Sequence, residues 1–513
     1  MTENQRVHTD SAAIMPVDTP NGDALGSMPG NVLSRLGQDQ HAMIGQLAAA
    51  FRTRGRALFL VGGSVRDILL ERPIPVELDL STDAVPEETK AIVQTLSPIG
   101  LYDVGERFGT IGMVFAGDER SVTVEITTFR SERYEPGSRH PAVAYGTSIE
   151  DDLARRDFTV NAIAVDIHTG ELHDPFHGRA DLAMGMLRAV GDPVERFRED
   201  PLRLLRAARF VAQLGFTVEQ ATRAAIASEA LLLGSISKER VLMELTKLLC
   251  GDYAGHGLDV LLETGLLTIA MPELLPLERA ARGDPGIHRE KDLWDHTRRV
   301  VVQAPPRPAV RWAALLHDAA KPLTRSVDAA GVVHFFGHER VGADITGKVL
   351  ARLGADKQTR KAVRQLVDLH LRPASYDTVT WTDSAVRRLA LEADGVLHDL
   401  LDLAAADVTS ARAQKQRAAA ARVQGLRDHI ARLEDEVALA QLQSPLDGNE
   451  LIELFDRTPG KWIAEIKDHL REMVIDGDLE PGDKATATVI ARQLLADAGS
   501  PQLNAEGAGD HGG

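Results

Sequence analysis

Two carboxylates and a glycine pair are the residues of this sequence best suited to chemistry. Gly62 and Gly63 follow a short apolar run that predicts a strand, and they open a predicted helix. Paired glycines let the backbone approach a polyphosphate, the N–H groups of the helix start point at it, and Arg66 adds donors one turn on. Glu77 and Asp79 alternate with apolar residues, so a strand places both carboxylates on one face. This pattern predicts a two-metal phosphoryl or nucleotidyl transfer site; a glycine hairpin beside a half-exposed strand is the alternative.

A third carboxylate, Glu125, lies in a run with strict alternation over 121–129. Valine and isoleucine occupy one face of this predicted strand, and Glu125 shares the other face with threonines. Glu125 is therefore a candidate third member of the carboxylate group. A glutamate on an edge strand, facing water, is the alternative interpretation.

A basic and polar run at 155–162 contains Arg156, Asp157 and Asn161. Adjacent arginines suit a triphosphate, because each guanidinium offers a fork of donors to phosphate oxygens. Asp157 and Asn161 suit the edge of a ribose. The alternative is a surface patch of salt bridges.

Asp200 and the arginines after it form the second informative run. Asp200 and Pro201 predict the N-cap and first residue of a helix. Arg203, Arg206 and Arg209 recur every three residues along that helix. A carboxylate and a guanidinium one turn apart can together read a base edge: cytosine and adenine offer an exocyclic amine to a carboxylate, whereas uracil and guanine present a carbonyl. The run therefore predicts selection of C and A.

Histidines and aspartates recur along predicted helices in the second half of the chain. Imidazole and carboxylate ligands on successive helices suit a divalent or binuclear metal centre in a helical bundle. Any one of these histidines alone would be ordinary surface or core. The residues are His296, His317, Asp318, His338, His370 and Asp407.

The composition is that of a cytoplasmic protein. The 513 residues include one cysteine, which excludes a disulfide framework, and no apolar run is long enough for a signal core or a membrane span. Aromatic residues make up only 4%, so a stacking platform for RNA is not predicted. The net charge of −17 does not exclude phosphate binding, because the segment from Asp428 to the end holds 18 acids and 7 bases.

The glycine, carboxylate, arginine and Asp200 runs, taken in order, resemble the signature motifs of class II tRNA nucleotidyltransferases of the polymerase-beta superfamily, which add CCA to tRNA 3′ ends. The resemblance extends over about 33–480. The histidine and aspartate series resembles the HD phosphohydrolase domain that many bacterial members carry.

With this resemblance, the predicted fold class is α+β and multidomain: a small N-terminal α/β palm with a mixed sheet and helices, then all-α neck, HD and tail domains. We expect a disordered segment over 1–34, the palm over 35–178 and the neck over 179–275. The metal-binding domain is expected over 276–415, a helical, tRNA-supporting tail over 416–496 and a disordered end over 497–513.

The resemblance implies a role for each motif. Gly63 and Arg66 would contact the incoming ATP or CTP, and Arg156 its phosphates. Glu77 and Asp79 would hold two Mg²⁺ ions, and an unidentified divalent metal would occupy the HD site. The protein template for C and A would consist of Asp200 and Arg203, completed by Arg206 and Arg209. The chain departs from the family pattern in having Glu77 where aspartate is usual, and Ala-Ala where Ile-Gly usually follows the His-Asp pair.

Related activities stay open at this point. Bacterial poly(A) polymerases share the catalytic motifs, as do enzymes that add only CC or only A. The loop at 105–110 favours full CCA addition. Functions of another class are a metal-dependent phosphohydrolase of nucleotides or cyclic phosphates, with a degraded transferase half, and a non-catalytic RNA-binding protein.

Overall fold

The computed structural model describes residues 32–73, 77–103, 109–117, 121–133, 142–146, 148–282, 293–409, 413–436 and 442–498. The chain divides into two compact units, Met1–Leu275 and Pro276–Gly513. Each unit is described by itself. The predicted disordered segments lie outside the described residues except at 32–34, which belong to the 3₁₀ helix Val32–Arg35, and at 497–498, where the last helix ends. Residues 105–108 of the loop predicted to favour CCA addition also lie outside them.

The first unit contains a seven-stranded mixed sheet in the order β3-β4-β5-β2-β1-β8-β9. Only β2 and β5 pair in parallel; the other neighbours in this sheet are antiparallel. Two small pairs, β6–β7 and β10–β11, lie outside the sheet. The strands are β1 (Leu58–Val61), β2 (Glu77–Thr82), β3 (Gly100–Asp103), β4 (Thr110–Phe115), β5 (Val122–Thr128), β6 (Arg130–Arg133), β7 (Ala142–Tyr145), β8 (Ala164–Asp166), β9 (Leu172–His173), β10 (Met186–Leu187) and β11 (Thr217–Val218).

Alternation along β2 and β5 decides which side chains reach the open face of the sheet. In β2, Leu78 and Leu80 are fully buried, while Glu77 and Asp79 point to the other side and are exposed. In β5 every second residue is buried in the same way. Because β5 lies between β4 and β2, Glu125 is on an internal strand. The alternative of an edge-strand glutamate is therefore wrong.

Helices cover the sheet and form the rest of the first unit. The first α-helix after β1 begins at Gly63, so the glycine pair opens a helix as predicted. The helices are α1 (Gln38–Thr53), α2 (Gly63–Leu69), α3 (Pro86–Gln94), α4 (Ile149–Ala154), α5 (Gly178–Met184), α6 (Pro193–Glu199), α7 (Leu202–Leu214), α8 (Gln220–Glu229), α9 (Lys238–Leu249), α10 (Ala254–Glu263) and α11 (Leu266–Ala270).

Helix α7 begins one residue later than predicted. Asp200 ends α6, so Pro201 takes the N-cap position and Leu202 is the first helical residue. Asp200 still caps the helix, because its Oδ1 accepts a hydrogen bond from the Leu202 N–H at 3.1 Å. Apolar residues of α7 such as Leu204 and Leu205 are buried and hold the helix against the core.

The second unit is helical apart from one hairpin, β12 (Ser326–Val327) with β13 (Val333–His334). Its helices are α12 (Leu275–Arg282, which starts at the unit boundary), α13 (Leu293–Gln303), α14 (Pro308–Leu316), α15 (His338–Arg352), α16 (Lys357–Leu369), α17 (Asp383–Glu392), α18 (Leu397–Ala406), α19 (Ala413–Glu436), α20 (Gly448–Phe455), α21 (Lys461–Asp476) and α22 (Lys484–Ala498). No helix in the described ranges is long and apolar enough to cross a bilayer.

The mixed sheet followed by a helical body confirms the predicted fold class. Two details differ. The segments predicted to be all-α contain the β10–β11 and β12–β13 pairs, whose two-residue strands are too short to show a periodic pattern in the sequence. The finer domain boundaries stay predictions.

Candidate active site and candidate metal centre

A cavity of about 700 Å³ in the first unit brings together residues from six parts of the sequence. Every residue predicted to bind the nucleotide lines it, together with two of the three predicted catalytic carboxylates. These are Gly62, Gly63, Arg66, Glu77, Asp79, Arg156, Asp157, Asn161, Asp200, Arg203, Arg206 and Arg209. The third predicted carboxylate, Glu125, lies beside Asp79 rather than in the cavity lining.

Gly62 is required by the backbone where β1 turns into α2. Its φ of 69° and ψ of −135° belong to a region that only glycine adopts readily. A Cβ atom there would also lie 2.8 Å from Nη1 of Arg156 and 3.8 Å from Oδ2 of Asp79. Gly63 is different, because a Cβ atom there would make only an ordinary contact, 3.5 Å from Nη2 of Arg66. The turn therefore places bare backbone between a guanidinium and a carboxylate.

The parallel register of β2 and β5 puts Asp79 directly opposite Glu125. Burial and the neighbouring Glu77 carboxylate raise the pKa of Glu125 to about 7. Asp79 opens on the cavity, yet the protein around it excludes enough water to raise the pKa of its carboxyl too. The raised pKa values of Asp79 and Glu125, with the Glu77 carboxylate beside them, fit a divalent cation, which would neutralise the three negative charges.

A chain of hydrogen bonds runs from α2 across the 155–162 segment to α7. Nη1 of Arg66 donates to Asn161 Oδ1 at 2.7 Å, and Nδ2 of Asn161 donates to Asp157 Oδ1 at 3.0 Å. Nε of Arg206 donates to Asp157 Oδ2 at 2.7 Å. Burial alone would raise the pKa of the Asp157 carboxyl, but the Arg206 guanidinium holds it at about 2. The chain fixes both arginines at the cavity wall.

Arg156 is held in the cavity by a buried acid. Its Nη2 donates to Asp152 Oδ2 at 3.2 Å, and Asp152 also pairs with Arg155 at 2.6 Å. Nε of Arg156 is buried and has no partner within the described part of the chain. Arg155 and Arg156 thus make salt bridges, as the alternative of a salt-bridge patch predicted. These salt bridges lie at the border of the cavity.

The two predicted template residues point to different partners. Oδ2 of Asp200 lies 3.5 Å from Nη2 of Arg240. Arg203 donates to Glu199 Oε2 at 2.8 Å and to the Arg155 carbonyl at 2.8 Å. The Arg203 N–H donates to the Asp200 carbonyl at 3.0 Å, but among the described contacts no hydrogen bond joins their side chains. A nucleotide base entering here would have to share or replace these contacts.

Three guanidiniums surround the ring of Phe210 at the far end of the cavity. Arg66 and Arg206 each lie 5.3 Å from the ring centroid, and Arg209 lies 4.2 Å from it. Arg209 also pairs with the buried Glu244 at 3.2 Å. Burial, together with the neighbouring Arg206, lowers the pKa of Arg209 to about 10.

The sequence analysis missed several residues of the cavity. Arg240 and Lys247 line it from α9, with Glu244 on the same face at i, i+4 and i+7 spacing. That spacing was a signal that could have been noticed. Ser64 also lines the cavity, and its buried hydroxyl has no partner among the described residues. No spacing rule would have singled out this serine.

The second unit gathers the six predicted metal ligands. Nε2 of His296 lies 3.3 Å from Nε2 of His317, 3.3 Å from Asp318 Oδ2 and 3.0 Å from Asp407 Oδ1. Ligand atoms of Asp318, His338 and His370 also lie within 4.8 Å of one another, as do those of His296, His317 and Asp318.

The histidine rings are fixed through their outer nitrogens. Nδ1 of His317, His338 and His370 each lies 2.6–2.8 Å from a carbonyl three residues earlier, which turns Nε2 inward. Nδ1 of His296 lies 2.7 Å from Thr409 Oγ1. All of these except His296 lie at helix ends: His317 and His370 follow the last residues of α14 and α16, and His338 begins α15.

Several ligand atoms of this cluster have no partner. Nε2 of His338, Nε2 of His370 and Oδ1 of Asp318 are buried without a hydrogen bond in the described part of the chain. Burial alone would lower the pKa of His317, but the Asp318 carboxylate raises it to about 10. At His370, burial lowers the pKa to about 4. Orphaned buried nitrogens beside carboxylates fit a divalent metal of unspecified identity.

Three known protein families match separate parts of this chain. The Poly A polymerase head domain matches residues 58–188, the probable RNA and SrmB- binding site of polymerase A matches 215–277, and the HD domain matches 294–412. The third match contains the histidine cluster, and the first two contain the cavity lining except the residues from Asp200 to Gln213, which lie between them.

Curated and solved relatives agree with this result. The CCA-adding enzyme of Bacillus licheniformis is 31% identical over 440 residues, which cover 86% of this chain and 95% of that protein. The CCA-adding enzyme of Geobacillus thermodenitrificans is 40% identical over 294 residues, 54% of this chain. The crystal structure of the Bacillus stearothermophilus CCA-adding enzyme in complex with CTP is 27% identical and covers 90% of this chain and 100% of that chain, with a TM-score of 0.67.

Several of these matches are partial. The alignment covers 66% of the length of the Geobacillus thermodenitrificans protein, and 50% and 53% of two further CCA-adding enzymes. The Bacillus licheniformis relative, by contrast, is matched over nearly its whole length. The chain belongs to the family of CCA-adding enzymes, the tRNA nucleotidyltransferases.

Proposed function

We propose that this protein transfers CMP, CMP and then AMP from CTP and ATP to the 3′ end of tRNA, with release of pyrophosphate. The observation that carries the proposal is the single cavity in which the glycine turn, the carboxylates and the arginines of α7 meet. The family supports the same activity. We retain the cytoplasm, predicted from the sequence, as its location.

The turn and its neighbours are suited to a triphosphate. Bare backbone at Gly62 and Gly63 allows phosphate oxygens to approach closely, and the orphaned hydroxyl of Ser64 offers a further donor. Arg66 and Arg156 supply positive charge on either side. These groups would hold and orient the nucleotide and neutralise the pyrophosphate that leaves.

The carboxylates would hold Mg²⁺. Glu77 and Asp79 face the cavity, and Glu125 supports them from the adjacent strand. When bound, two Mg²⁺ ions would activate the tRNA 3′-hydroxyl and stabilise the leaving group. Glutamate at position 77 is a hard oxygen ligand like aspartate but one methylene longer.

Base selection falls to α7 and the residue before it. The Asp200 carboxylate can accept from the exocyclic amine of cytosine or adenine, and the Arg203 guanidinium can donate to a ring acceptor. Both groups hold other partners in this structure, Arg240 and Glu199. Binding a base therefore requires these side chains to exchange partners.

The test is the incorporation of each labelled nucleotide, separately and together, into tRNA that lacks CCA, with Mg²⁺ present. Two C residues and one A, then arrest, are expected. Open-ended A addition would show a poly(A) polymerase, and CC alone or A alone would show a split-activity enzyme. Glu77→Ala is expected to abolish incorporation, while Glu87→Ala, an exposed carboxylate of α3, is the matched control. No incorporation by the wild-type protein would refute the proposal.

A second activity is favoured by the histidine cluster of the second unit. We propose that this cluster binds a divalent metal and hydrolyses a phosphate ester of a nucleotide or cyclic nucleotide. The orphaned nitrogens of His338 and His370 carry this proposal. Hydrolysis of 2′,3′-cyclic AMP with Mg²⁺, Mn²⁺, Co²⁺ or Ni²⁺ added would test it, with His317→Ala as the inactive variant. Equal hydrolysis by that variant would refute it.

A further inference from the structure

A second large cavity lies in the second unit, in the groove between α15 and α16. Its volume is about 1180 Å³. None of the candidate metal ligands lines it. The lining residues are Arg340, Ala343, Asp344, Gly347, Lys348, Ala351, Lys357, Arg360, Lys361, Arg364, Gln365 and Asp368, which we call the basic groove.

The basic groove carries an excess of positive charge in an acidic protein. Six of its twelve lining residues are lysine or arginine, and two are aspartate. The whole chain has a net charge of −17. In such a chain, exposed cations would ordinarily be balanced by the many acids around them. The clustering of cations along one groove therefore indicates a function other than solubility.

Most of these cations lack an acidic partner. Arg364 pairs with Asp344 at 3.2 Å. In the described ranges, no ion pair involves Lys348, Lys357 or Lys361. Nε of Arg360 is buried and has no hydrogen-bond partner among the described residues. The groove therefore offers unsatisfied donors as well as charge.

Helical spacing arranges the cations in two rows. On α16, Lys357, Lys361 and Arg364 recur at i, i+4 and i+7, a rise of about 10 Å along the helix axis. On α15, Arg340 and Lys348 lie eight residues apart on the facing side.

The floor between the rows is made of small residues. A Cβ atom at Gly347 would lie 3.0 Å from Cδ of Arg364, so the glycine lets that side chain lie flat across α15. Ala343 and Ala351 continue this floor one helical turn to either side. A larger residue at these positions would narrow the groove.

We propose that the basic groove is a docking surface for the phosphodiester backbone of RNA, and that its occupant is the tRNA substrate. Two rows of cations, of which only Arg364 has an acidic partner among the described residues, match the regularly spaced charges of a phosphodiester chain. The lining residues include no aromatic side chain on which a base could stack. The inference rests on the proposed function, which supplies the RNA. It differs from the sequence prediction, which assigned support of tRNA to the tail over 416–496.

The salt dependence of tRNA binding tests this surface. The groove variant is Lys357→Gln with Lys361→Gln. The control is Arg325→Gln with Lys415→Gln, two exposed cations of the same unit that lie outside both the groove and the segment 416–496. Binding of full-length protein to tRNA is measured by fluorescence anisotropy from 50 to 300 mM KCl. Each phosphate contact contributes about 0.9 to the slope of log K against log salt, so the groove variant should lose about 2 from that slope and the control nothing.

Each other outcome overturns the proposal. A groove variant that binds tRNA with the wild-type slope refutes it, as does an equal loss in both variants, which would indicate a general effect of charge. If tripolyphosphate binding falls in the groove variant while tRNA binding does not, the groove takes a small polyanion and the RNA proposal is wrong. If the wild-type protein does not bind tRNA, the proposed function is refuted as well. The wild-type measurement alone decides this, without the variants.

Discussion

Replacing Gly62 by alanine tests whether the turn after β1 has to be glycine. Its φ of 69° and ψ of −135° strain any residue with a Cβ atom, at a cost of about 1–3 kcal/mol. The new methyl group would also meet Nη1 of Arg156 at 2.8 Å, so this guanidinium must move away from the cavity. We expect Gly62→Ala to destabilise the first unit by about 1–3 kcal/mol and to raise KM for CTP and ATP together.

The adjacent glycine supplies the matched control. Gly63 begins α2, and a methyl group there lies 3.5 Å from Nη2 of Arg66, an ordinary contact. We expect Gly63→Ala to change the stability of the first unit by no more than about 0.5 kcal/mol. The two variants add the same methyl group one residue apart, so a difference between them isolates the backbone conformation.

Two optical signals separate the two units in this assay. The chain has four tryptophans, and all of them lie in the second unit: Trp294, Trp312, Trp381 and Trp462. Tryptophan fluorescence therefore reports unfolding of the second unit, and far-UV circular dichroism reports both. Unfolding of the first unit is therefore the transition seen by dichroism but not by fluorescence, and Gly62→Ala should shift this transition. If both variants unfold like wild type and bind nucleotide equally well, the assignment of Gly62 as an obligatory glycine is wrong.

Three further predictions concern the charged groups. In metal-free protein, Glu125 has a folded pKa of about 7, above its ordinary value of 4.5, so the stability of the first unit should fall as pH rises from about 4.5 to 7. Thermal melts of Glu125→Gln should not show this fall. If they show the wild-type fall, the assignment of the pH dependence to Glu125 is wrong. Asp157, with its pKa held at about 2 from 3.8 by Arg206, should contribute about 2 kcal/mol that is present above pH 4 and lost between pH 4 and 2. Asp157→Asn should remove this contribution in denaturant titrations, and wild-type stability would refute it. Asp318→Asn should abolish the metal content measured by elemental analysis after dialysis, whereas His334→Gln, outside the cluster, should keep it; equal content in both would refute the ligand assignment.

Local patterns predicted the parts of the first site that depend on neighbouring residues. Alternation placed Glu77 and Asp79 on one face of a strand, and the glycine pair marked the start of α2. These features are fixed by strand and helix geometry over a few residues, so they can be read from the sequence. The position of Glu125 opposite Asp79 could not be read in this way, because strand order and register depend on pairing between distant segments.

The base-facing end of the cavity was less predictable. The arginine stripe on α7 was evident, but Arg240 and Lys247 reach the cavity only because α9 packs beside α7. The partner of Arg203 was also unexpected, since its guanidinium bonds Glu199 and backbone carbonyls. In the second unit, the histidines had no local spacing that required them to meet, but their recurrence with aspartates along successive helices already indicated a metal centre, and the family resemblance added the HD domain.

The distribution of the cavity lining along the sequence sets an order on biosynthesis. Lining residues run from Val61 to Lys247, so a ribosome produces the carboxylate side before the arginine side. Asp79 precedes Asp200 by 121 residues, an interval of about 6–24 s at translation rates of about 5–20 residues per second. Asp157 is likewise synthesised before Arg206, the residue that donates a hydrogen bond to its carboxylate. A nascent chain therefore holds the groups proposed for phosphate chemistry before it holds those proposed to choose the base, and the cavity is complete only once α9 has left the ribosome.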